Sequence, residues 1–335
     1  MADFITLGVE SSCDDTSVAV VLNGTKILSN IISSQLDIHA LYGGVVPEIA
    51  ARCHLENLLP IYKLALEEAA IAPEQINLVA ATYGPGLIGS LLVGLSFAKA
   101  LSIGLKVPFI GVNHIEGHIY ANILERDAIK PPLLCLTVSG GHTDLLYINE
   151  WGSYQLLGRT LDDAAGEAYD KVARILELGY PGGPPIDKIA RGITTGIEFP
   201  QARSLADSYN FSFSGLKTAV INYVHRQRQL NQELNVPEIA AGFQINLVGQ
   251  LIDKLFRAAK EYRVNAILLS GGVAANSYLR EQCRMRCDEL GIAFYYPDIR
   301  LCTDNAAMIA AAGYFRYQKD GATGYDLTAN PNLQL

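Results

Sequence analysis

Leu133-Leu134-Cys135-Leu136-Thr137-Val138-Ser139-Gly140-Gly141-His142-Thr143-Asp144-Leu145-Leu146-Tyr147-Ile148 is the stretch on which the fold turns. Two apolar runs, Leu133–Val138 and Asp144–Ile148, flank a polar Gly/Ser turn, which predicts paired strands. The same design opens the chain. There Phe4–Val9 and Val18–Leu22 flank Glu10-Ser11-Ser12-Cys13-Asp14-Asp15-Thr16, and Lys26–Ile32 completes a meander. Outward from each hairpin, helical and strand patterns alternate. Pro47–Ala70 has apolar spacing near one helical turn, with Pro47 suited to the first turn. Leu78–Thr82 reads as a strand leading through Gly84-Pro85-Gly86 into an apolar helix, Leu87–Leu105, and Phe109–Val112 as a strand before a helix near Asn113. In the second half, Ala266–Leu269 runs into Ser270-Gly271-Gly272-Val273-Ala274-Ala275-Asn276 and a helix to about Leu290. Ala293–Tyr295 and a helix from Asp304 to about Tyr317 follow. The order is β-β-β-α-β-α, twice. A duplicated hairpin with alternating elements implies an α/β protein of two lobes with a cleft between them. The first lobe is expected over 1–130, with the C-terminal helix over about 304–335 packing back on it. The second is expected over 131–303, with a helical insertion over about 162–262. Only the tail after Gly321 reads as surface chain.

Composition agrees with a two-domain globular chain. The 335 residues are 50% apolar and 18% charged, so the body is not disordered. A net charge of −8 argues against a whole-surface nucleic-acid binder, though it leaves room for local basic patches. Two such patches are His225-Arg226-Gln227-Arg228 and the group Arg280, Arg284 and Arg286. The six cysteines form no Cys-x-x-Cys pair and read as reduced thiols. No basic segment followed by an apolar run opens the chain, so a cytoplasmic protein is expected. The Leu87–Leu105 run is nearly long enough to span a membrane. Its Lys99 and its small residues Gly89, Ser90, Gly94 and Ala98 favour a helix packed on a sheet.

Three Gly/Ser turns, at 10–16, 139–143 and 270–276, can point backbone N–H groups at one spot and favour an anion. None matches a Walker loop or a Gly-x-Gly-x-x-Gly fingerprint. His114 and His118 lie at i, i+4 in Asn113-His114-Ile115-Glu116-Gly117-His118, which puts both imidazoles on one helical face. They are either metal ligands or polar decoration of a helix. The order is not the His-Glu-x-x-His of zinc proteases, so Glu116 faces away from the histidines. Asp304 is a candidate third ligand, or simply the N-cap of the last helix. Asp14 and Asp15 either hold Mg²⁺ through a bound nucleotide or stabilise their turn. Asp170, on a helix, would reach a ribose or amino-acid group if it faced the cleft; Asp187 follows the rigid Tyr180–Pro185 loop. Each otherwise reads as a solvated carboxylate.

Taken in order, Gly8–Thr16, Gly84-Pro85-Gly86-Leu87, the His-x-Glu-Gly-His segment, Val138–Thr143 and Ser270–Asn276 resemble the TsaD family, in its bacterial form, over residues 4 to about 317. The resemblance implies the actin, Hsp70 and sugar-kinase fold. It implies transfer of a threonylcarbamoyl group from threonylcarbamoyl-adenylate to N6 of an adenosine next to the anticodon of tRNA. It implies a divalent metal, iron or zinc, on His114, His118 and Asp304. It implies adenylate contacts at Thr137, Val138, Ser139, Gly140 and Gly141, with further contacts at Asp170, Gly183, Asp187 and Asn276. TsaB and TsaE are the implied partner proteins, with TsaC supplying the adenylate. An adenine amine is a poor nucleophile, so a proton acceptor should help; Glu10 and His142 are the two candidates. A small-molecule kinase, a metallopeptidase and a non-catalytic scaffold are the rival readings. Metal content paired with adenylate transfer to tRNA separates them.

Overall fold

The computed structural model describes residues 3–126, 129–200, 205 and 207–335. The chain divides into two compact units, one running to Ile129 and taking in Pro297–Leu335, the other Lys130–Tyr296.

The first unit is built on a mixed five-stranded sheet. Its strands are β1 (Ile5–Glu10), β2 (Asp15–Leu22), β3 (Lys26–Ser34), β4 (Leu78–Gly84) and β5 (Phe109–Asn113), in the order β3-β2-β1-β4-β5. The meander β1–β2–β3 is antiparallel, whereas β4 and β5 join in parallel through helical crossovers. Strand β1 is central and buried on every residue. The helices are α1 (Leu36–Ala40), α2 (Pro47–Ala69), α3 (Ile88–Leu105), α4 (His114–Tyr120) and, from the far end of the chain, a last helix over Ala306–Asp320. That last helix lies against β1. A Cβ on Gly8 would stand 2.1 Å from the Ala306 carbonyl oxygen, so only glycine allows this approach. Its alanines at 306, 307, 310, 311 and 312 are wholly buried, giving a thin helix that sits low on the sheet.

The second unit repeats the plan. Strands β6 (Leu133–Val138), β7 (Thr143–Glu150), β8 (Ser153–Arg159), β9 (Ala266–Ser270) and β10 (Ala293–Tyr295) run in the order β10-β9-β6-β7-β8. Again the first three are antiparallel and the last two parallel. Among the described residues the insertion has four α-helices: α5 (Ala165–Ile175), α6 (Gly183–Ala190), α7 (Ser214–Gln229) and α8 (Val236–Tyr262). Helix α9 (Ser277–Leu290) follows β9, and the helix at Ala306–Asp320 is α10.

One expectation changes and another gains detail. The helix read as wholly packed, α3, buries Ser90, Leu91, Gly94, Leu95, Ala98 and Ser102 but leaves Ile88, Leu92 and Ile103 about half exposed. It is long and apolar enough to cross a membrane by length and composition, yet its inner face is part of the sheet core. The C-terminal tail is surface chain, as expected, and is fastened to the sheet by hydrogen bonds. Thr323 N donates to Phe109 O at 2.8 Å along the edge strand β5, and Asn330 N to Tyr83 O at 2.8 Å. Lys99 Nζ donates to the Tyr325 and Leu327 carbonyls, and Tyr325 stacks on Phe109. The tail thereby covers an open sheet edge.

Candidate metal centre and glycine turns

Strand β5 runs straight into α4. Asn113 caps the helix, its Oδ1 accepting from Ile115 N at 2.8 Å and Glu116 N at 3.4 Å, so the first helical residue is His114. One turn later His118 presents its ring beside that of His114, edge to face, with centroids 4.7 Å apart. Glu116 points the other way and pairs with Arg316 at 3.2 Å. Asp304 completes the group. Its Oδ1 lies 3.4 Å from His114 Nε2 and 3.2 Å from His118 Nε2. All three ligand atoms fall within 4.8 Å of one another. The alternative of Asp304 as N-cap is corrected: Asn305 Oδ1 caps α10 from Met308 N, at 3.1 Å, which leaves the Asp304 carboxylate to the histidines.

Behind His114 stands Glu10, with no solvent exposure. Its Oε2 accepts from Thr82 Oγ1 at 2.6 Å and lies 3.0 Å from His114 Nδ1, and its Oε1 accepts from Ser12 N at 2.5 Å. Ser12 Oγ is a second neighbour of the same imidazole nitrogen, at 3.1 Å. A carboxylate on Nδ1–H fixes the ring so that Nε2, once it gives up its proton to a metal, turns its lone pair toward Asp304 and His118. Burial alone would raise the Glu10 pKa, but the His114 charge and hydrogen bond hold it below the ordinary value. Burial likewise opposes charge on His114, yet Asp304 and Glu10 together raise its pKa well above the ordinary value. Asp304 is held low by the two imidazoles against its own burial. Nearby, burial and then the charges of Asp304, Asp14 and Glu10 push Asp15 up to about 7, against a hydrogen bond from Ser34. The Glu10 and Asp304 carboxylates thus stay ionised on either side of His114.

The donor set suits a divalent metal. Two imidazoles and one carboxylate are the ligands of borderline and first-row metals. The His118 ring is buried, with Nε2 facing only the Asp304 carboxylate at 3.2 Å and Nδ1 without a hydrogen-bond partner, an arrangement that would cost free energy unless another group satisfies it.

In the second unit the turn Ser139–His142 joins β6 to β7. Ser139 N donates to His142 O at 2.8 Å, and His142 N to Ser139 Oγ at 3.1 Å. A Cβ on Gly140 or Gly141 would meet nothing within 4 Å, so both face open space that a ligand can enter. Helix α5 begins against this turn: Gly166 N donates to Ser139 O at 3.1 Å, and Ala165 N to Thr143 Oγ1 at 3.0 Å. Thr137 and Val138 are wholly buried, with Thr137 Oγ1 2.8 Å from Ser270 Oγ. Any ligand contact of theirs is made by backbone. His142 is half-buried.

The other candidate residues fall into two local groups. Asp170 Oδ1 accepts from Gly182 N at 2.7 Å and so ties α5 to the glycine loop before α6, where Gly183 is open to a Cβ. Asp187 takes Ser277 Oγ at 2.9 Å and Ser277 N at 3.2 Å, at the start of α9. Asn276 caps that helix through Oδ1, accepting from Leu279 N at 2.8 Å. Three arginines of the two basic groups have protein partners. Arg280 lies over the Tyr296 ring at 4.3 Å, Arg284 donates to Tyr296 Oη at 3.0 Å, and Arg228 pairs with Glu177 at 2.7 Å. Cys283 and Cys287 are buried thiols with raised pKa, chiefly through burial, and all six cysteines are free. Sequence reasoning missed Thr82, Tyr169 and Gln244. Of these only Gln244 left a signal, a polar residue inside the apolar run Ile239–Val248 of α8.

Comparison with known proteins bears on all of this. The family described as TsaD: tRNA N6-adenosine threonylcarbamoyltransferase matches residues 26–311. A tRNA N6-adenosine threonylcarbamoyltransferase of Caldicellulosiruptor saccharolyticus is 53% identical over 332 residues, covering 99% of this chain and 98% of the relative. One from Clostridioides difficile is 50% identical over 336 residues, covering 100% and 99%. Among solved structures, the chain resembles full-length HypF in its phosphate- and nucleotide-bound form, with TM-score 0.62, 13% identity, and coverage of 96% of this chain and 47% of that one. It also resembles the activator of the 2-hydroxyisocaproyl-CoA dehydratase from Clostridium difficile, with TM-score 0.54, 14% identity, and coverage of 94% and 95%. These structural likenesses show the fold alone, which is of the actin, Hsp70 and sugar-kinase type. At half identity over its whole length, the chain belongs to the TsaD family of tRNA N6-adenosine threonylcarbamoyltransferases.

Proposed function

We propose that His114, His118 and Asp304 hold one divalent metal ion, iron or zinc, and that the glycine turns of the second unit hold threonylcarbamoyl-adenylate. The reaction of the family is acyl transfer to N6 of an adenosine adjacent to the anticodon, and tRNA is the acceptor substrate. The observation that carries the metal reading is the convergence of the His114, His118 and Asp304 ligand atoms within 4.8 Å of one another, with both imidazoles buried. When bound, the metal supplies Lewis acidity and a template for substrate oxygens. Mg²⁺ accompanying bound nucleotide at Asp14 and Asp15 is a further part of the proposal.

The chain's own groups do the rest. The N6 amine attacks the activated carbonyl carbon; the new N–C bond forms, the C–O bond to phosphate breaks, and AMP leaves with the electron pair. The amides of Gly140 and Gly141 steady the phosphate and the charge that develops on it. Thr137, Val138 and Ser139 contribute through the same backbone. Asp170 and Asp187 shape the nucleoside end together with Gly183 and Asn276. Of the two candidate bases, Glu10 is sealed from solvent with both oxygens engaged, so it orients His114. His142, half-buried beside the glycine turn, takes the N6 proton.

The partner reading, TsaB and TsaE with TsaC supplying the adenylate, is supported by an exposed apolar surface. Leu55 and Leu59 of α2 and Ile88 and Leu92 of α3 stand between 48% and 71% exposed. The two helices pack closely near their N-terminal ends, with a Cβ on Gly89 3.2 Å from that of Ala51. Such a patch is a docking surface for protein. Cytoplasmic residence accords with a tRNA substrate. The function is tested by supplying preformed threonylcarbamoyl-adenylate and unmodified tRNA to the protein with its partners. Modified adenosine in the tRNA is the expected product; nucleotide hydrolysis without it favours a kinase-like activity.

A further inference from the structure

Three buried side chains from three elements close a triangle in the second unit. Asn276 Nδ2 donates to Gln244 Oε1 at 2.8 Å and to Tyr169 Oη at 3.3 Å, and Tyr169 Oη donates to Gln244 Oε1 at 3.3 Å. All three are at least nine-tenths buried. The pattern admits one assignment of donors. Tyr169 has a single proton, which goes to Gln244, so it can only accept from Asn276. Both amide hydrogens of Asn276 are then engaged, and one lone pair of its Oδ1 is held by Leu279 N. A single valence of this side chain is left, the second Oδ1 lone pair.

We propose that Gln244 and Tyr169 are positioning residues that fix the Asn276 amide so that it can only accept, and thereby make the nucleotide site select a ligand hydrogen-bond donor at that point. The donor is a ribose hydroxyl or the exocyclic amine of adenine. The proposal rests on the reading that Asn276 contacts the adenylate. Without the Gln244 oxygen, the Asn276 amide would lose its 2.8 Å partner and be held only by Leu279 N and the longer contact to Tyr169 Oη, so the direction of its free Oδ1 lone pair would no longer be fixed. Glutamate at 244 keeps an acceptor oxygen in the same place.

Calorimetry on the whole protein tests this with four probes: AMP, 2′-deoxy-AMP, 3′-deoxy-AMP and IMP, which has an acceptor in place of the amine. The native protein is expected to bind at least one analogue about tenfold more weakly than AMP, the scale of one lost hydrogen bond. Gln244→Leu is expected to weaken AMP and to erase that discrimination, and Gln244→Glu to restore it. A merely structural role would change stability without changing the ratio between probes. Tyr169→Phe, which keeps the ring and removes only the hydroxyl, should lower the ratio in the same direction and serves if Gln244→Leu does not fold. If Asn276→Ala weakens AMP while Gln244→Leu and Tyr169→Phe keep the native ratio, the positioning role is overturned. If Asn276→Ala leaves AMP binding and the ratio unchanged, the contact reading itself falls.

Discussion

Replacing Glu10 by Gln tests how the metal ligand His114 is prepared. The native carboxylate accepts on both sides: Ser12 N on Oε1, His114 Nδ1 and Thr82 Oγ1 on Oε2. A glutamine has one acceptor oxygen and one NH₂ group. If the oxygen faces His114, the NH₂ opposes the Ser12 N–H in a space with no solvent. If it faces Ser12, the NH₂ donates to Nδ1, the imidazole proton moves to Nε2, and the lone pair a metal needs is lost. Either outcome removes a charged hydrogen bond behind a ligand, which costs about 10- to 100-fold in metal affinity, or roughly 1.4–2.7 kcal/mol. Thr82→Val, which removes only the 2.6 Å support of Oε2, should cost less, about threefold to tenfold. The assay is competition of each purified variant with a chromogenic chelator for Zn²⁺, with circular dichroism to confirm folding. A folded Glu10→Gln protein that binds Zn²⁺ within twofold of native would refute the orienting role.

Gly140→Val should leave the fold intact, because a Cβ there meets nothing within 4 Å, yet weaken adenylate binding at least tenfold by calorimetry. Unchanged affinity would remove the phosphate cradle from that turn. Asp15, raised to about 7 in the fold, disfavours the native state once ionised; its favourable linkage is complete below the carboxylate's unfolded pKa and lost as pH rises through about 7. Asp15→Asn in the metal-free protein should therefore gain melting temperature relative to native at pH 8 but not at pH 4, and an equal change at both would show that ionisation is not the cause. Removing the tail after Gly321 deletes the Thr323 and Asn330 backbone bonds and the Tyr325 stack, and uncovers β5. A loss of about 3 kcal/mol is expected, read as a melting temperature lower by several degrees. A melting curve that does not move would make the tail dispensable.

The duplicated hairpins were legible because period and punctuation agree: apolar β-branched runs ended by Gly, Ser and Asp mark β1–β2 and β6–β7 with little ambiguity. Their parallel partners β4 and β9 were legible for the same reason. The i, i+4 histidines also showed, since local helix geometry alone brings them together. The tail was legible as surface chain, but its fastening was not, because its partners, Phe109, Tyr83 and Lys99, lie far off in the sequence and its hydrogen bonds are made by backbone, which carries no residue signature. The outward face of α3 was hidden by composition, as a helix apolar all round gives no sign of which side the sheet covers. Glu10 looked like a base because its chemistry is that of one; its complete burial and its Thr82 neighbour depend on the β1–β4 pairing. That Arg280 and Arg284 of α9 lie against Tyr296 was not legible, since the ring comes from beyond the helix.

The central claim, that transfer depends on a metal held by His114, His118 and Asp304, is tested most directly by one paired measurement. Metal per chain and threonylcarbamoyl transfer to tRNA are determined on the same preparations of native protein and of His114→Ala/His118→Ala. The account predicts about one divalent ion per native chain, and loss of both metal and transfer in a double variant whose circular dichroism is native. A double variant that still carries stoichiometric metal, or that transfers at the native rate without it, would contradict the account.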